Sequence, residues 1–407
     1  MDPLSYLFSL EQFGIKFGLD NISTLVTRLG HPDRAFRSIH IAGTNGKGSV
    51  TAMVDAAIRA AGHRSARYTS PHLVDLSERF VIDGRPVAHE TLVAAVADVR
   101  DAVESLRADG SLTAPPTFFE VTTAVAFELF KRARVDTAVL EVGLGGRLDS
   151  TNVVSPIATA ITSIALDHEQ YLGSTLAEIA FEKAGIIKPG VPVVVGDLTP
   201  EAVVVIERIA RARGAEVIRA SAADAAPFTI GLRGRHQVAN AAIAVRVLGV
   251  LNARGIAIPA SAIASGLAEP GWPGRLDLRR LPDGRELLLD AAHNPAGAAS
   301  LASYLQERRT MSLPLVFAAM RDKNIRGILE ELTPVIGSLV VTRASNPRSA
   351  DPSAIAEQAR ALAPSLDVSI EPSPTDALAA AWRRSPAIVV AGSIFLLGDV
   401  MRQVGVS

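Results

Sequence analysis

Short apolar runs rich in β-branched residues alternate with longer alanine- and leucine-rich stretches along this chain. Strands that are apolar along their whole length are typical of parallel sheets covered on both faces. The apolar runs predict strands at 38–43, 136–143, 157–164, 191–196, 285–292, 313–320, 337–344 and 387–393. Helical patterns are clearest at 49–61, 119–133, 237–253 and 296–309. The alternation predicts an α/β fold with parallel-rich sheets.

One segment interrupts this alternation. "AEPGWPGRLDL" (268–278) holds two prolines and two glycines, which exclude a continuous helix or a central strand. The alternation occurs on both sides of it, and 407 residues are too many for one ordinary hydrophobic core. We therefore predict a first domain over 1–272 and a smaller, Rossmann-like α/β domain over 273–407.

Composition narrows the class of protein. The chain carries 41 basic and 42 acidic residues, so no bulk attraction to nucleic acid or to an anionic membrane is expected. It has no cysteine, which excludes disulfides, thiolate metal sites and cysteine nucleophiles. The longest apolar run, "IATAITSIAL" (157–166), is shorter than the roughly 20 residues that span a bilayer. A cytoplasmic protein is predicted.

The segment "SIHIAGTNGKGSVTAM" (38–53) predicts a strand, a glycine-rich turn and the start of a helix. Backbone N–H groups at a helix start, together with the helix dipole, attract phosphate oxygens. The strict P-loop pattern is G-x-x-x-x-G-K-[ST]. Here Ile41 stands at the position of the first glycine, and Gly48 separates Lys47 from Ser49. A plain strand-to-helix turn is the alternative.

Candidate roles within this loop follow from its chemistry. Lys47 is predicted to neutralise phosphate oxygens. Ser49 is predicted to offer a hydroxyl to Mg²⁺, with Thr44 in reserve. Glycines at 43, 46 and 48 let the backbone approach a ligand closely or take a positive φ.

A second glycine-rich turn follows the strand predicted at 136–143. In "AVLEVGLGGRLDSTNVV" (138–154) Glu141 closes the strand, and ligands of open α/β sheets bind beyond the carboxyl ends of strands. A carboxylate there is well placed to hold Mg²⁺, which prefers oxygen ligands. The alternative is a salt bridge between Glu141 and Arg147.

The third candidate region is "TSIALDHEQYLGSTLAEIAFEKAGIIKPG" (162–190), where His168 follows an apolar strand and Lys183 lies on a capped helix predicted to stop at Gly185. A structural role for His168 and a solvated charge for Lys183 are the alternatives. If Lys183 were desolvated, its pKa would fall and the neutral amine would be able to react with CO₂ to give a carbamate.

The motifs together resemble those of the folylpolyglutamate synthase/dihydrofolate synthase family, in the same order. They are "GTNGKGS" (43–49), "YTSPHL" (68–73), "ERFVIDG" (78–84), "LEVGLGGRLDSTNV" (140–153), "DHEQYLG" (167–173), "EKAGIIKPG" (182–190), "GRHQVANAAIA" (234–244), "PGRLD" (273–277), "DAAHNPAG" (290–297) and "AGSIFLLGDV" (391–400). The resemblance covers nearly the whole chain from "FGIKFGLDNISTLVTRLG" (13–30) onward. The wider group is the ATP-dependent Mur-type amide ligases, which share the G-T-N-G-K loop.

The resemblance implies a P-loop-containing, Mur-ligase-like ATPase domain followed by a glutamate-ligase domain. It implies an enzyme that joins the amino group of L-glutamate to a pteroate or folate carboxylate through an acyl phosphate, with ATP cleaved to ADP. The expected protein is a bifunctional, monomeric dihydrofolate/folylpolyglutamate synthase whose partners are small molecules. A single-activity member is the nearest alternative. A Mur-type peptidoglycan ligase and a P-loop ATPase switch are more distant ones.

The resemblance also implies site residues. The nucleotide contacts are Gly43, Thr44, Asn45, Gly46, Lys47, Gly48, Ser49, Asn240, Arg275 and His293. The ligands of two Mg²⁺ ions are Ser49 and Glu141 for one, and Ser70, Glu141 and His168 for the other. The catalytic set is Lys183 (carbamylated), His168, Glu141, Asp290 and His293. The glutamate-binding or closure set is Asp290, His293 and Ser393, with capping at strand ends as the alternative for Asp290 and Ser393. The pterin contacts are Thr117, Phe119 and Asp149.

Overall fold

The computed structural model describes residues 2–14, 16–308 and 312–405. Arg309, predicted as the end of a helix, lies outside the described residues, as do Ile15, Val406 and Ser407 of the predicted segments. Within the described ranges, no helix combines the length and the apolar character needed to cross a membrane.

The described residues form fourteen strands and sixteen α-helices. The strands are β1 Arg37–Ala42, β2 Ser65–Tyr68, β3 Phe80–Ile82, β4 Arg85–Pro86, β5 Thr137–Glu141, β6 Ala158–Ile161, β7 Val193–Val195, β8 Val217–Arg219, β9 Asp277–Arg280, β10 Glu286–Leu289, β11 Pro314–Phe317, β12 Ser338–Val341, β13 Asp367–Ile370 and β14 Ala387–Ala391. The helices are α1 Pro3–Ser9, α2 Asp20–Arg28, α3 Lys47–Ala60, α4 His89–Ala108, α5 Phe118–Arg132, α6 Glu169–Leu172, α7 Leu176–Ala184, α8 Pro200–Ala212, α9 Ala222–Ala225, α10 His236–Ala253, α11 Ala260–Ala268, α12 Pro295–Glu307, α13 Ile325–Leu332, α14 Pro352–Leu362, α15 Pro374–Arg384 and α16 Ile394–Val404.

The strands form two sheets, one before and one after the proline- and glycine-rich segment. The first has the order β4-β3-β2-β5-β1-β6-β7-β8 and is parallel from β2 to β8. The second has the order β13-β12-β11-β14-β10-β9, with only β9 antiparallel to its neighbour. These two parallel-rich sheets, each flanked by helices, confirm the predicted fold class.

Helices cover both faces of each sheet. In the first, α4 and α5 pack on one face, while α3, α10 and α11 contribute to the core on the other. Strand β1 lies between β5 and β6, and five of its six residues are buried, including the polar Ser38 and His40. The second sheet likewise has one apolar cluster on each face.

Local signals set the helix ends near the site. Helices α5 and α7 both begin with a capping box, in which the threonine hydroxyl accepts a backbone N–H and a glutamate three residues later returns the bond. The partners are Thr117 with Glu120 and Thr175 with Glu178. Helix α7 ends at Ala184, directly before Gly185 as predicted.

Candidate functional site

The glycine-rich turn lies where β1 ends, between the carboxyl ends of β5 and β6. Helix α3 begins at Lys47, two residues before the predicted start. Gly46 precedes it with φ of 88°, a left-handed conformation that glycine adopts without steric cost. The turn therefore presents the N-terminus of a 14-residue helix, the arrangement that binds phosphate.

Polar contacts hold the turn against the strand on one side. The Thr44 hydroxyl donates to Ala165 O at 3.1 Å and accepts from Ala165 N at 3.0 Å, and Thr44 N donates to Ser163 O at 2.8 Å. Asn45 N donates to Ser163 Oγ at 2.9 Å. The Lys47 ammonium folds back over the turn and donates to the carbonyls of Gly43 and Thr44, at 3.1 and 3.2 Å.

Helix α10 supports the turn from the other side. Asn240 Nδ2 donates to Gln237 Oε1 at 2.9 Å, and Gln237 Nε2 donates to the buried Ser49 hydroxyl at 3.3 Å. A Cβ at Gly46 would lie 2.3 Å from Asn240 Oδ1, so the amide lies directly on the turn. The structure brings the predicted Asn240 to the loop. Gln237 was not among the predicted site residues, although it lies within the motif "GRHQVANAAIA" (234–244).

Gly48, the residue that breaks the strict P-loop pattern, lies against Trp272. A Cβ at Gly48 would be 2.3 Å from Cζ2 of that indole, which belongs to the segment between the sheets. The Arg67 guanidinium lies over the ring of the same indole, 5.5 Å from its centroid. The tryptophan thus occupies the space that a side chain directly after the loop lysine would need.

Gly48→Ala is expected to weaken nucleotide binding roughly tenfold, because the new methyl group displaces either Trp272 or the first turn of α3. Isothermal titration with ADP measures the effect. The matched control is Gly249→Ala on α10, where nothing lies within 4 Å of the added Cβ. Equal ADP affinity in both variants would show that the indole contact does not constrain the loop.

Glu141 ends β5 beside the loop and is buried. Among the described residues, its carboxylate accepts one hydrogen bond, from Ser70 N at 3.3 Å. Burial raises its pKa, and the nearby Lys47 opposes that shift. The proposed salt bridge to Arg147 is wrong, because Arg147 pairs with Glu182 at 2.8 Å.

These contacts leave Glu141 suited to a cation. Mg²⁺ is usually held by one or two carboxylates together with substrate phosphates, and a buried carboxylate with one amide partner beside a phosphate-binding turn meets that requirement. Ser49, in the first turn of α3, closes the same segment 43–49. Within the described ranges, no group of three or more His, Asp or Glu side chains is arranged to hold a metal ion. Substrate oxygens would therefore have to complete the coordination.

His168 stands at the second predicted metal site, but a cation already faces it. Its Nε2 lies 3.1 Å from Nζ of Lys323, a residue of the second domain that sequence analysis missed. Burial, and after it the Lys323 ammonium, lowers the pKa of His168 to about 4, so the imidazole is neutral at pH 7. A neutral imidazole can ligate a metal once Lys323 has turned away.

Lys183 is buried rather than solvated. Its Nζ donates to Gly43 O at 3.0 Å, beneath the phosphate-binding turn. Burial, with a contribution from Lys47, lowers the pKa of Lys183 to about 7. A substantial fraction of the side chain is therefore a neutral amine near pH 7, as carbamate formation requires.

The predicted pterin contacts surround the turn after β5. Phe119 stacks on Tyr68 with centroids 5.9 Å apart, and its ring edge lies against Gly143. Phe118 points elsewhere and stacks on Phe8 at 6.0 Å. The two adjacent aromatic residues thus face different neighbours.

Two further predicted pterin contacts have internal partners. Asp149 accepts from Leu144 N at 2.8 Å, from Thr151 N at 3.0 Å and from the Thr151 hydroxyl, while the Thr117 hydroxyl caps α5. In this structure both side chains are engaged in local hydrogen bonds of the turn after β5 and of the start of α5. Any ligand contact would use their remaining lone pairs or donor.

The second domain contributes its candidates from the carboxyl ends of β10 and β14. Asp290 accepts from Leu276 N and Ala292 N at 2.8 and 2.9 Å, and it acts electrostatically on the half-buried Arg275. The Ser393 hydroxyl caps α16 through Phe395 N. Asp290 and Ser393 therefore make capping contacts at strand ends, which was the alternative that the sequence offered to a role in glutamate binding.

His293 reaches back to the first domain. Its Nε2 lies 3.5 Å from Asp167 Oδ2, and Nδ1 lies 2.8 Å from Ala291 O. Burial raises the pKa of Asp167, but the His293 contact and the Lys323 ammonium outweigh burial, so the pKa is lowered. The two domains thus meet at Asp167, in the segment that follows β6.

Comparison with known proteins agrees with this geometry. Residues 274–394 match the family model for the glutamate ligase domain of Mur ligases. A dihydrofolate synthase/folylpolyglutamate synthase of Bacillus subtilis is 36% identical over 373 residues, covering 86% of each chain.

Solved structures extend the match to the whole fold. FolC of E. coli in complex with DHPP and ADP superposes with a TM-score of 0.87 at 30% identity, covering 100% of this chain and 98% of that one. A bifunctional folylpolyglutamate synthase/dihydrofolate synthase with Mn, AMPPNP and L-glutamate bound has a TM-score of 0.87 at 29% identity, with the same coverages. The chain belongs to the dihydrofolate synthase/folylpolyglutamate synthase family.

Proposed function

We propose that this protein is an ATP-dependent ligase that adds L-glutamate to dihydropteroate, forming dihydrofolate, and to folates, extending a polyglutamate chain. The observation that carries the proposal is the meeting of the turn 43–49 with Glu141 of the first domain and Asn294 of the second. The names of the relatives, which include bifunctional enzymes, support it.

The chemical problem is that a carboxylate is a poor electrophile. Transfer of the γ-phosphoryl group of ATP to the substrate carboxylate gives an acyl phosphate and ADP. The glutamate amine then attacks the acyl carbon, and phosphate leaves as the amide forms. Phosphoryl transfer depends mainly on positioning and charge neutralisation. The backbone N–H groups at the start of α3 and the Lys47 ammonium supply both.

Lys47 must change partners for this role. In the structure it donates to Gly43 O and Thr44 O, carbonyls of the same turn. A bound triphosphate offers charged acceptors, which form stronger hydrogen bonds than carbonyls do. We therefore expect Lys47 to swing from the turn onto the phosphate oxygens.

Two divalent cations are part of the proposal. When bound, they supply positive charge between the phosphates and the anionic substrate. Ser49 and Glu141 would hold the first, and Ser70, Glu141 and His168 the second. The second set requires Lys323 to leave His168.

Carbamylation of Lys183 is a further proposal. The neutral amine attacks CO₂ and loses a proton, so the buried side chain becomes a carbamate anion. The burial of Lys183 and the lowered pKa of its amine support this step. The negative charge would then orient the groups around the second cation from beyond its direct ligands.

Substrate roles remain proposals for the other predicted residues. Phe119, which is half-buried, is the stacking candidate for the pterin, and Asp149 and Thr117 are the other candidate pterin contacts. The candidate nucleotide contacts outside the turn are Asn240 on α10 and, in the second domain, Arg275 and His293. Asp290 and Ser393 would act on glutamate binding by holding the loops at 274–276 and 391–395.

Other features stay predictions. These are the domain limit at 272/273, the monomeric state and the cytoplasmic location. The limit is supported by the change of sheet between α11 and β9. A single-activity synthase remains the nearest alternative, since its active site would need the same residues. A peptidoglycan ligase or an ATPase switch would need none of the pterin-side contacts.

Phosphate release with ATP and Mg²⁺ tests the function. We expect release to require glutamate together with either dihydropteroate or tetrahydrofolate, because the acyl phosphate turns over only when the amine attacks it. Turnover with one pterin substrate alone would indicate a single-activity enzyme. Release that is independent of both pterin and glutamate would overturn the ligase proposal.

A further inference from the structure

A set of side chains outside the predicted catalytic residues joins the two domains at the phosphate-binding turn. We define this interdomain latch as Asn45, Asp167, Asn294 and Lys323. Asn45 belongs to the turn, and Asp167 follows β6 in the first domain. Asn294 and Lys323 come from the second domain.

The centre of the latch is a pair of asparagines. Asn45 Nδ2 donates to Asn294 Oδ1 at 3.1 Å, and Asn294 Nδ2 donates back to Asn45 Oδ1 at 3.1 Å. The Asn45 backbone is fixed at the same time, because its carbonyl accepts from the Thr162 hydroxyl at 2.6 Å. A displacement of the second domain would therefore act directly on the phosphate-binding turn.

The orientation of Asn294 follows from its neighbours. Its Oδ1 accepts from Gly297 N at 2.8 Å as the N-cap of α12, so its amide nitrogen must point the other way. That nitrogen donates to Asp167 Oδ2 at 3.0 Å as well as to Asn45. Both donors and both acceptor positions of this buried side chain are thus used.

Asp167 is the acceptor that several second-domain groups share. Lys323 Nζ lies 2.6 Å from its Oδ1, with both side chains at most 8% exposed. Asn294 and His293 approach its Oδ2. A buried charge pair whose partners come from different domains is costly to separate, because each charge would lose its partner.

We infer that the latch positions the second domain over the phosphate-binding turn, with Asn294 and Asp167 as positioning residues for the proposed ligase reaction. The hydrogen-bond pair sets the distance between the turn and the His293-bearing loop. The ion pair between Lys323 and Asp167 ties the second domain to the segment that follows β6. The inference rests on the proposed function only for its effect on catalysis. Its effect on domain arrangement is independent of the reaction.

The test uses Asn294→Asp and Asn294→Ser. Aspartate and serine both keep the N-cap of α12, because each offers an oxygen to Gly297 N. Aspartate has no N–H to donate and repels Asp167, while serine is too short to bridge to Asn45. The matched control is Asn324→Asp, since exposed Asn324 caps α13 through Gly327 N at 2.9 Å in the same way.

Domain arrangement is measured first, without substrates. The chain has no cysteine, so Val204→Cys and Ser365→Cys, both exposed, allow dyes to be attached to one site in each domain. Single-molecule energy transfer should show a compact population in the parent and in the Asn324→Asp control. The two Asn294 variants should lose it, with melting temperatures close to the parent value. Unchanged distance distributions in a folded Asn294 variant would overturn the latch.

Kinetics provide the second measurement. We expect kcat of both Asn294 variants to fall about 10- to 100-fold, the scale of a misplacement of about 1 Å, with a smaller change in KM for ATP. Unaltered kcat would overturn the positioning role. If pterin and glutamate proved irrelevant to phosphate release, the proposed function would fail, but the energy-transfer result would still decide the domain arrangement.

Discussion

Lys183→Met is expected to abolish ligase activity and yet to raise the melting temperature. The lysine is buried beneath the phosphate-binding turn, where burial lowers its pKa to about 7. Keeping a cation-forming group there costs stability, and methionine of similar length removes that cost. Gly43 O keeps a partner after the change, because Lys47 also donates to it. We expect an activity loss of at least about 100-fold and a gain of about 2–5 °C.

The pH dependence of this gain has a definite sign. The pKa of the lysine is about 7 in the folded protein and close to 10.5 in the unfolded chain, so between these values the unfolded state binds more protons. The stability of the parent therefore rises relative to Lys183→Met as pH increases from about 7 to about 10.5. The advantage of the variant is largest at and below pH 7. Thermal unfolding at pH 6.5, 8 and 9.5 measures this trend.

Lys188→Met is the matched control for Lys183. Lys188 is also partly buried, burial lowers its pKa to about 8, and its Nζ donates to Asn152 O at 2.7 Å away from the turn. Its replacement should change activity by no more than a few fold. Short carboxylates should partly restore Lys183→Ala if the functional group is a carbamate. A fully active Lys183→Met would eliminate the proposed role.

Glu141→Gln is expected to lower kcat/KM by about 100- to 1,000-fold. The substitution keeps the size of the side chain and an oxygen that can accept from Ser70 N, but it removes the buried negative charge. The loss should therefore appear in cation dependence: the Mg²⁺ concentration for half-maximal phosphate release should rise, while the melting temperature stays within a few degrees.

Glu182→Gln provides the comparison for Glu141. It removes the same charge from the same type of residue, but its partner is the surface guanidinium of Arg147. Such exposed pairs contribute little, so activity should change less than twofold. Equal Mg²⁺ dependence of Glu141→Gln and the parent would refute a cation role for Glu141.

Apolar periodicity was enough to predict the eight strands that are buried and rich in branched side chains. Strand β2, "SARY", was missed for a physical reason. Its Ser65 and Arg67 are polar but buried, because both contact Asp55 of α3, at 2.6 and 3.4 Å. A buried polar network thus hid a central strand from a rule based on hydrophobic runs. Strands β9 and β13 were missed because they are half-exposed at the sheet edges.

The candidate site likewise has a part that could be predicted from the sequence and a part that could not. The rule that ligands bind beyond strand ends brought Glu141, His168 and the turn 43–49 together from the sequence. The rule cannot tell which oxygen atoms the fold itself uses, and Asp149 and Asp290 both turned out to accept backbone N–H groups. Nor can it find Asn294 and Lys323, whose partners lie more than a hundred residues away in the other domain.

The contact between Gly48 and Trp272 constrains how this sequence can diverge. A hydroxyl-bearing residue cannot be placed directly after Lys47 while an indole fills that space. The two positions should therefore change together among homologues: chains with serine or threonine after the loop lysine should carry a smaller residue between the domains. The residue after the loop lysine and the residue at the position of Trp272 would then covary among homologues, although the two positions are far apart in the chain.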